Sequence, residues 1–580
     1  MSQRAWMRAA AALVVVTTIT AVAAVMLPAR RAHAAGLPAG FQDTIAISGL
    51  TEPTNFRFAP DGRIFVAEKS GIIKVFQNLN DTNPTVFADL RVQVENYWDR
   101  GMLGMVLDPA FPTKPYVYVL YTRDADIGGV APKWGDPANP TSESCADPNG
   151  VGCPVSGRLS RLTVSNNGAG NTWTGSEQVL IDGWCQQFPS HSVGDLQFGA
   201  DGMLYATAGD GAAFTFADYG QNGSPLNPCN DPPAGVGGAQ TPPTAEGGAL
   251  RSQSVRRPTN EPVLLNGTLI RVDPATGAGV SGNPYFSSTD ANKRRIVAAG
   301  LRNPFRFAIR PGTNEPWIGD VGWNDWEEIN RVTTTSALTN FGWPCYEGAG
   351  AQPGYQATNL DLCNSLYSGG GATSPYYTYN HGDHIVTNDN CGPGGSSITG
   401  AAFYPTTGGN YPSAYNGAYF FADYSRQCMW AMQLGTNGQP DPNKIVPFDF
   451  SGPAPVALRS DPVSGDIFYA DLAQGSPGAG SIHRIQYSGP NAIIKTTPTP
   501  ATGAAPLTVQ FDATSSTDPG GLALSYAWDL GSGSFTDSTA AKPSQIFAAG
   551  SYTVRLRVTN SAGASKIASV PVIAGTPPTP

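Results

Sequence analysis

At 580 residues the chain is long for one domain, and its 41% hydrophobic content is enough for more than one core. With 68 glycines, 50 prolines and only 14% charged residues, the composition fits many short strands and turns and argues against helical bundles. The formal net charge of −9 argues against nucleic acid or an anionic membrane as partner.

The first element is a secretory leader over residues 1–34. Arg4 and Arg8 precede an apolar run from Ala9 to Leu27, and Ala32-His33-Ala34 is a small-x-small cleavage site. An uncleaved anchor helix is the rival, since the run is long and Arg30-Arg31 follows it. Removing this segment takes away four arginines and no acid, moving the net charge from −9 to −13. No later stretch is long and apolar enough to span a membrane. The expected product is secreted, with no membrane attachment after cleavage.

From residue 56 onward one pattern recurs: an apolar strand, a Pro/Asp/Gly turn, and a second apolar strand ending in a small or acidic residue. Copies run over 56–76, 103–122, 196–210, 307–322, 400–425 and 456–487. Six unevenly spaced hairpins predict the blades of a six-bladed β-propeller over residues 40–488. Gly/Pro/Asn-rich inserts such as 123–156 and 212–262 fall between strands, where long loops carry function or are stapled by disulfides.

The third hairpin carries a histidine in a chain that has five. Its turn is Gly199-Ala200-Asp201-Gly202, and His191 and Asp210 lie about equally far from it on opposite arms. They fall near one sheet edge, where an aspartate can fix the tautomer of a general-base histidine and favour its protonated form. The same stretch also reads as a plain turn followed by a loop histidine.

Eight cysteines lie between 145 and 428, an even number that reads as up to four disulfides. No C-x-x-C is present, which argues against zinc and redox motifs. Spacing does not determine connectivity. Sequential pairing is the expectation, with Cys145–Cys153 and Cys345–Cys363 closing the short loops.

After Tyr487 the texture changes. Residues 489–508 are rich in Pro, Thr and Ala and read as a linker that lets two folded parts behave separately. Residues 509–575 form short alternating strands of a small immunoglobulin-like β-sandwich, whose first strand could start near 490. The fold class is therefore all-β.

Several stretches resemble the glucose/sorbosone dehydrogenase family, the soluble sugar dehydrogenases that use pyrroloquinoline quinone (PQQ). They are Arg100–Phe111, His191–Tyr205, Leu265–Gly277, Gly300–Ile309, Ile318–Asn330 and Asn340–Gly348, in the family's order. The tail resembles a PKD domain through Tyr526–Gly533, a non-catalytic module suited to polysaccharide or cell-surface contact. The resemblance implies that His191 takes the proton from a sugar's anomeric hydroxyl while hydride passes to the quinone, with Asp210 supporting it. It implies Arg302 as stabiliser, Arg302 and Asn303 at the cofactor, and Asp99 where the family has a cofactor-side Gln. The carbonyls of Gly322 and Trp323 would bind Ca²⁺, and Glu328 a second calcium.

The departures matter as much. The family's later-blade Lys falls near Asn410-Tyr411 and its Arg pair near 452–455, and neither place holds a cation. PQQ carries three carboxylates, so that loss should weaken it; Arg100, Arg426 and Arg459 are the candidate substitutes. The leading reading is a secreted PQQ-dependent sugar dehydrogenase. The alternative is a non-catalytic propeller that binds a glycan or protein. A calcium-dependent lactonase would want a ring of axial acids, which these motifs do not supply.

Overall fold

A computed structural model describes residues 36–136, 138–221, 228–232, 244–387, 389–450 and 454–575. The leader at 1–34, the tail after 575 and residues 451–453 lie outside the described residues.

Each expected hairpin opens an antiparallel sheet, four-stranded in five of the blades, while the third gains a fifth strand, Thr339–Asn340, in parallel. The first sheet runs Pro53–Phe58, Ile64–Glu68, Ile72–Phe76, Thr85–Asp89, and the second Met102–Leu107, Tyr116–Arg123, Val155–Val164, Trp173–Gln186. The third begins with Val193–Phe198 and Leu204–Ala208, the fourth with Arg306–Ile309 and Pro316–Asp320, the fifth with Ile398–Phe403 and Tyr419–Asp423. The sixth takes Pro455–Ser460, Ile467–Asp471 and Gly480–Tyr487, and its outer strand is Phe41–Leu50 from the other end of the chain. The opening strands of successive sheets neighbour one another, and that of the sixth neighbours that of the first. This is the six-bladed propeller that the hairpin repeats predict.

Burial explains the sequence texture of the blades. Ile64–Glu68 and Met102–Leu107 are buried at every position, because neighbouring blades cover both faces. Ring closure has its own polar lock. Asp43 of the returning strand accepts from His483 Nδ1 at 3.0 Å and from Tyr469 Oη at 2.6 Å, with Asp43 and His483 side chains only 3% exposed. At the centre, buried Asp195 gathers Arg57, Arg459 and Asn55 from the sixth and first blades.

The four disulfides pair sequentially: Cys145–Cys153, Cys185–Cys229, Cys345–Cys363 and Cys391–Cys428. Among the described residues no helix is long and apolar enough to cross a membrane.

The C-terminal sandwich has two sheets, and its strands alternate, as in Leu507–Asp512 with every second residue buried. The expected 489–508 linker is corrected here. Lys495–Thr497 pairs with Leu507–Asp512, and Thr502–Gly503 pairs with Ser565–Ala574. Pro-rich segments read as linkers, yet edge strands tolerate proline because they need fewer N–H donors. Nor are the two parts separate. Asn560 donates to the Tyr487 hydroxyl, and Ala564 packs into the propeller cluster of Phe41, Tyr411 and Tyr415.

Candidate functional site

The blades direct one set of positions to one face. Thr54, Leu103, Ser397 and Val456 stand at or near the start of opening strands, and Lys69, Val321, Tyr424 and Leu472 just follow second strands. Antiparallel pairing brings both kinds of position to the same end of each sheet. There they line a cavity of about 400 Å³, together with Asp99, His191, Arg302, Asn303 and Gly322.

His191 enters this cavity in a left-handed backbone conformation, φ 51°. Strain of this kind persists only where surroundings hold it. They do: Gly211 N–H donates to the His191 carbonyl, and a Cβ on Gly209 would collide with that same carbonyl. His191 Nδ1 lies 2.8 Å from Asp210 Oδ1. Asp210 also accepts from Ala212 N–H at 2.9 Å and from Trp343 Nε1 at 2.8 Å. Its own backbone carbonyl takes Asn266 Nδ2 at 3.0 Å. Burial raises the Asp210 carboxyl, but His191, Arg302 and the Ala212 amide outweigh it, and the group stays ionised. With Asp210 accepting at Nδ1, the basic lone pair is left on Nε2.

Asp210 does favour the protonated imidazole, as expected, but it does not decide the balance. Burial, and then Arg302, lower the His191 pKa from 6.5, and Asp210 only partly opposes them. The histidine is a neutral base at pH 7.

Arg302 and Asn303 follow the third blade. Their backbone amides donate to the buried carboxylate of Asp320, at 3.0 Å and 2.7 Å. Burial pushes Asp320 up to about 7 against those donors. Arg302 Nη1 donates to the carbonyls of Val321 at 2.9 Å and Gly322 at 2.6 Å, and its guanidinium lies 5.4 Å from the centre of the Trp343 ring. Arg302 Nε is buried without a hydrogen-bond partner.

The calcium expectations fare differently. The Val321 and Gly322 carbonyls gather a cation, which here is the Arg302 guanidinium, so their oxygen chemistry fits calcium. Of Trp323, the other expected ligand, the amide donates to Glu347 Oε1 at 2.7 Å and the indole to the Phe214 carbonyl, bonds that do not involve its own carbonyl. Glu328 is buried, not exposed, and both its oxygens already accept, from Gly348 N–H at 2.7 Å and Asn330 Nδ2 at 2.9 Å.

None of the three candidate arginines reaches the cavity. Arg100 donates to the carbonyls of Cys153 and Gln186, Arg426 to those of Asp383 and Asn380, and Arg459 to Asp195 and Asn55. Asn410 and Tyr411 lie in the loop joining the first two strands of blade five, at the opposite face. Among the described residues the later blades supply the cavity with Ser397, Thr399, Tyr424, Val456, Leu472 and Gln474, and no cation.

Sequence reasoning missed Lys69, a buried lysine on the cavity wall whose Nζ donates to Asn96 Oδ1. Burial lowers its pKa, and Glu52, Asp99, Glu143 and Glu95 partly restore it. Its place just after a second strand, equivalent to that of Val321, was a usable signal. Trp343 and Asp320 lie inside the family-like stretches, but nothing in the sequence marks them as donor to Asp210 and anchor of the Arg302 backbone. At the mouth, Trp98 and Phe214 are 37% and 40% exposed with rings 6.2 Å apart.

Comparison with known proteins follows this geometry. The glucose/sorbosone dehydrogenase family model matches residues 50–224 and 249–438, and a PKD domain model matches 492–573. The chain is 24% identical over 425 residues to the HIPL2 protein of Arabidopsis thaliana, covering 71% of this chain and 55% of that protein. It is 23% identical over 171 residues to the human Hedgehog-interacting protein, 28% of this chain and 21% of that one. The chain thus spans about half the length of the HIPL2 protein. Among solved structures, a glucose dehydrogenase-type oxidoreductase of Thermus thermophilus superposes with TM-score 0.51 at 20% identity, over 77% of this chain and 100% of that one. The PQQ-bound aldose sugar dehydrogenase of Streptomyces coelicolor gives 0.50 at 17% identity, over 78% and 99%. At these identities the likeness is one of fold.

Proposed function

The chain belongs to the glucose/sorbosone dehydrogenase family, and we propose that it is a secreted, PQQ-dependent dehydrogenase that oxidises the anomeric carbon of a sugar. The observation that carries this reading is the buried His191–Asp210 pair opening on a cavity beside Arg302. The donors fit an anionic, flat cofactor: Lys69 and Arg302 are cations, Asn303 is a further polar group on the wall, and Phe305 and Tyr424 supply flat apolar surface. Four disulfides and the expected leader support an extracellular site of action.

Oxidising a hemiacetal to a lactone removes a proton from oxygen and a hydride from carbon. PQQ, when bound, supplies the two-electron acceptor for that hydride, and calcium at the Val321–Gly322 carbonyls would polarise it. This chain's residues do the rest. His191 Nε2 takes the hydroxyl proton, and Asp210 holds the ring orientation and balances the imidazolium that forms. Trp343 holds Asp210. Arg302, held by Asp320, directs positive charge at the place where negative charge develops. Asp99 and Asn303 help shape the cofactor side, and Trp98 and Phe214 offer rings for the sugar to stack on.

The test is dye reduction by purified protein with PQQ and Ca²⁺ across a panel of aldoses. Turnover that requires PQQ supports the reading, and no turnover with any aldose removes it. One observation favours a second reading, a propeller that binds a glycan or protein without catalysis: the later blades bring no cation to the cavity. That reading expects no PQQ-dependent rise in melting temperature.

A further inference from the structure

A second group of acids lies beside the cavity, in the second blade. Glu95 belongs to the crossover leading into that blade, and Asp124 directly follows its second strand, Tyr116–Arg123. Backbone pairing joins them: Glu95 N–H donates to the Thr122 carbonyl at 2.9 Å, and Asp124 N–H to the Gln93 carbonyl at 2.9 Å. Glu143 arrives from the insert, two residues before the Cys145–Cys153 disulfide. One oxygen from each of the three carboxylates lies within 4.8 Å of the others.

The independent observation is Glu95 itself. Its exposure is 0%, and neither of its oxygens accepts a hydrogen bond; nor does Glu143 Oε2. Asp124 is served by the Trp134 amide at 3.0 Å. The nearest cation, Arg100, stands 3.7 Å from Glu95 and gives its hydrogen bonds to the carbonyls of Cys153 and Gln186. Lys69 also feels Glu95 and Glu143, so three carboxylates against two cations leave one negative charge over. Buried carboxylates persist where they are paired, hydrogen-bonded or on a metal, and beyond the other two acids Glu95 meets only the Arg100 guanidinium at 3.7 Å and the more distant charge of Lys69.

The spacing fits a shared ion. Oxygen ligands on opposite sides of a calcium at about 2.4 Å stand about 4.8 Å apart. An all-oxygen set without His or Cys selects a hard cation. Carboxylates from three separate segments suit the irregular shell of calcium better than the strict octahedron of magnesium. We infer that Glu95, Asp124 and Glu143 form a calcium-binding site that fastens the 123–156 insert to the cavity rim. The site is distinct from the Val321–Gly322 carbonyls and does not depend on the dehydrogenase reading.

The test uses the full chain, freed of metal with a chelator, and counts bound Ca²⁺ by equilibrium dialysis. Wild type should bind one more Ca²⁺ than Glu143→Gln, or bind it about tenfold or more tightly. Ca²⁺ should raise the melting temperature of wild type more than that of the variant. In chelator, Glu143→Gln should melt at or above wild type, because it relieves like-charge repulsion while keeping the loop. Equal Ca²⁺ binding by the two proteins would overturn the inference. So would a wild type whose melting temperature is the same in chelator and in Ca²⁺, which would mean that the acids hold one another through shared protons.

Discussion

His191 Nδ1 and Asp210 Oδ1 are 2.8 Å apart, although nineteen residues separate them along the chain. The hairpin between them accounts for this. Val193 pairs with Ala208, so the two residues flank the same end of one antiparallel ladder. The pair is buried, with side-chain exposures of 5% and 1%, and only the cavity side of the imidazole is left for chemistry.

Burial and Arg302 outweigh Asp210 at this histidine, so it titrates below 6.5. The acid limb of kcat/KM should therefore have its midpoint below 6.5. Arg302→Gln should move the imidazole titration upward by removing a cation, and Asp210→Asn should move it downward. Histidine NMR reads both shifts without activity. The unfolded chain takes this proton more readily than the folded one, so the residue's contribution to stability is lost as pH falls below 6.5. A wild-type titration above 6.5 would show that Asp210 dominates.

Lys69 is the cation that the first blade brings to the cavity. Lys69→Met should weaken PQQ binding by roughly 10- to 100-fold, the scale of one charge-assisted hydrogen bond. At saturating PQQ, kcat should change much less. Titration of PQQ against intrinsic tryptophan fluorescence measures the affinity. An unchanged Kd would remove Lys69 from the cofactor side.

Asp43 carries two buried hydrogen bonds across the seam where the ring closes. Asp43→Ala leaves the His483 and Tyr469 donors without their acceptor and should cost about 2–4 kcal/mol. Denaturant titration monitored by circular dichroism measures it. A loss below about 0.5 kcal/mol, the range of ordinary surface substitutions, would mean that the backbone ladder alone closes the propeller.

The sandwich touches the propeller at the face opposite the cavity, through Tyr487–Asn560 and Ala564. A chain ending at Tyr487 should keep its turnover but melt at a lower temperature, since Phe41, Tyr411 and Tyr415 lose part of their cover. Lost turnover in a folded truncation would show that the sandwich helps form the site.

Six hairpins were legible because each blade's opening strands are joined through a local turn and buried on both faces. The Phe41–Leu50 closure was not, because its partner strand lies more than four hundred residues away along the chain. The same distinction divides the site. His191 and Asp210 share one hairpin, so spacing predicts their contact. Lys69 and Trp343 come from other parts of the ring, and only the closed ring brings them to this cavity. Asn410-Tyr411 match the family's lysine along the chain yet lie at the opposite face, because matching along the chain does not say which face of a blade a loop occupies.

The central claim is that His191 is the base. The most direct measurement compares turnover of wild type and His191→Gln at saturating PQQ, Ca²⁺ and sugar. The account predicts a loss of roughly 10²-fold or more, with the blades intact and PQQ affinity little changed. Turnover within about twofold of wild type would contradict it.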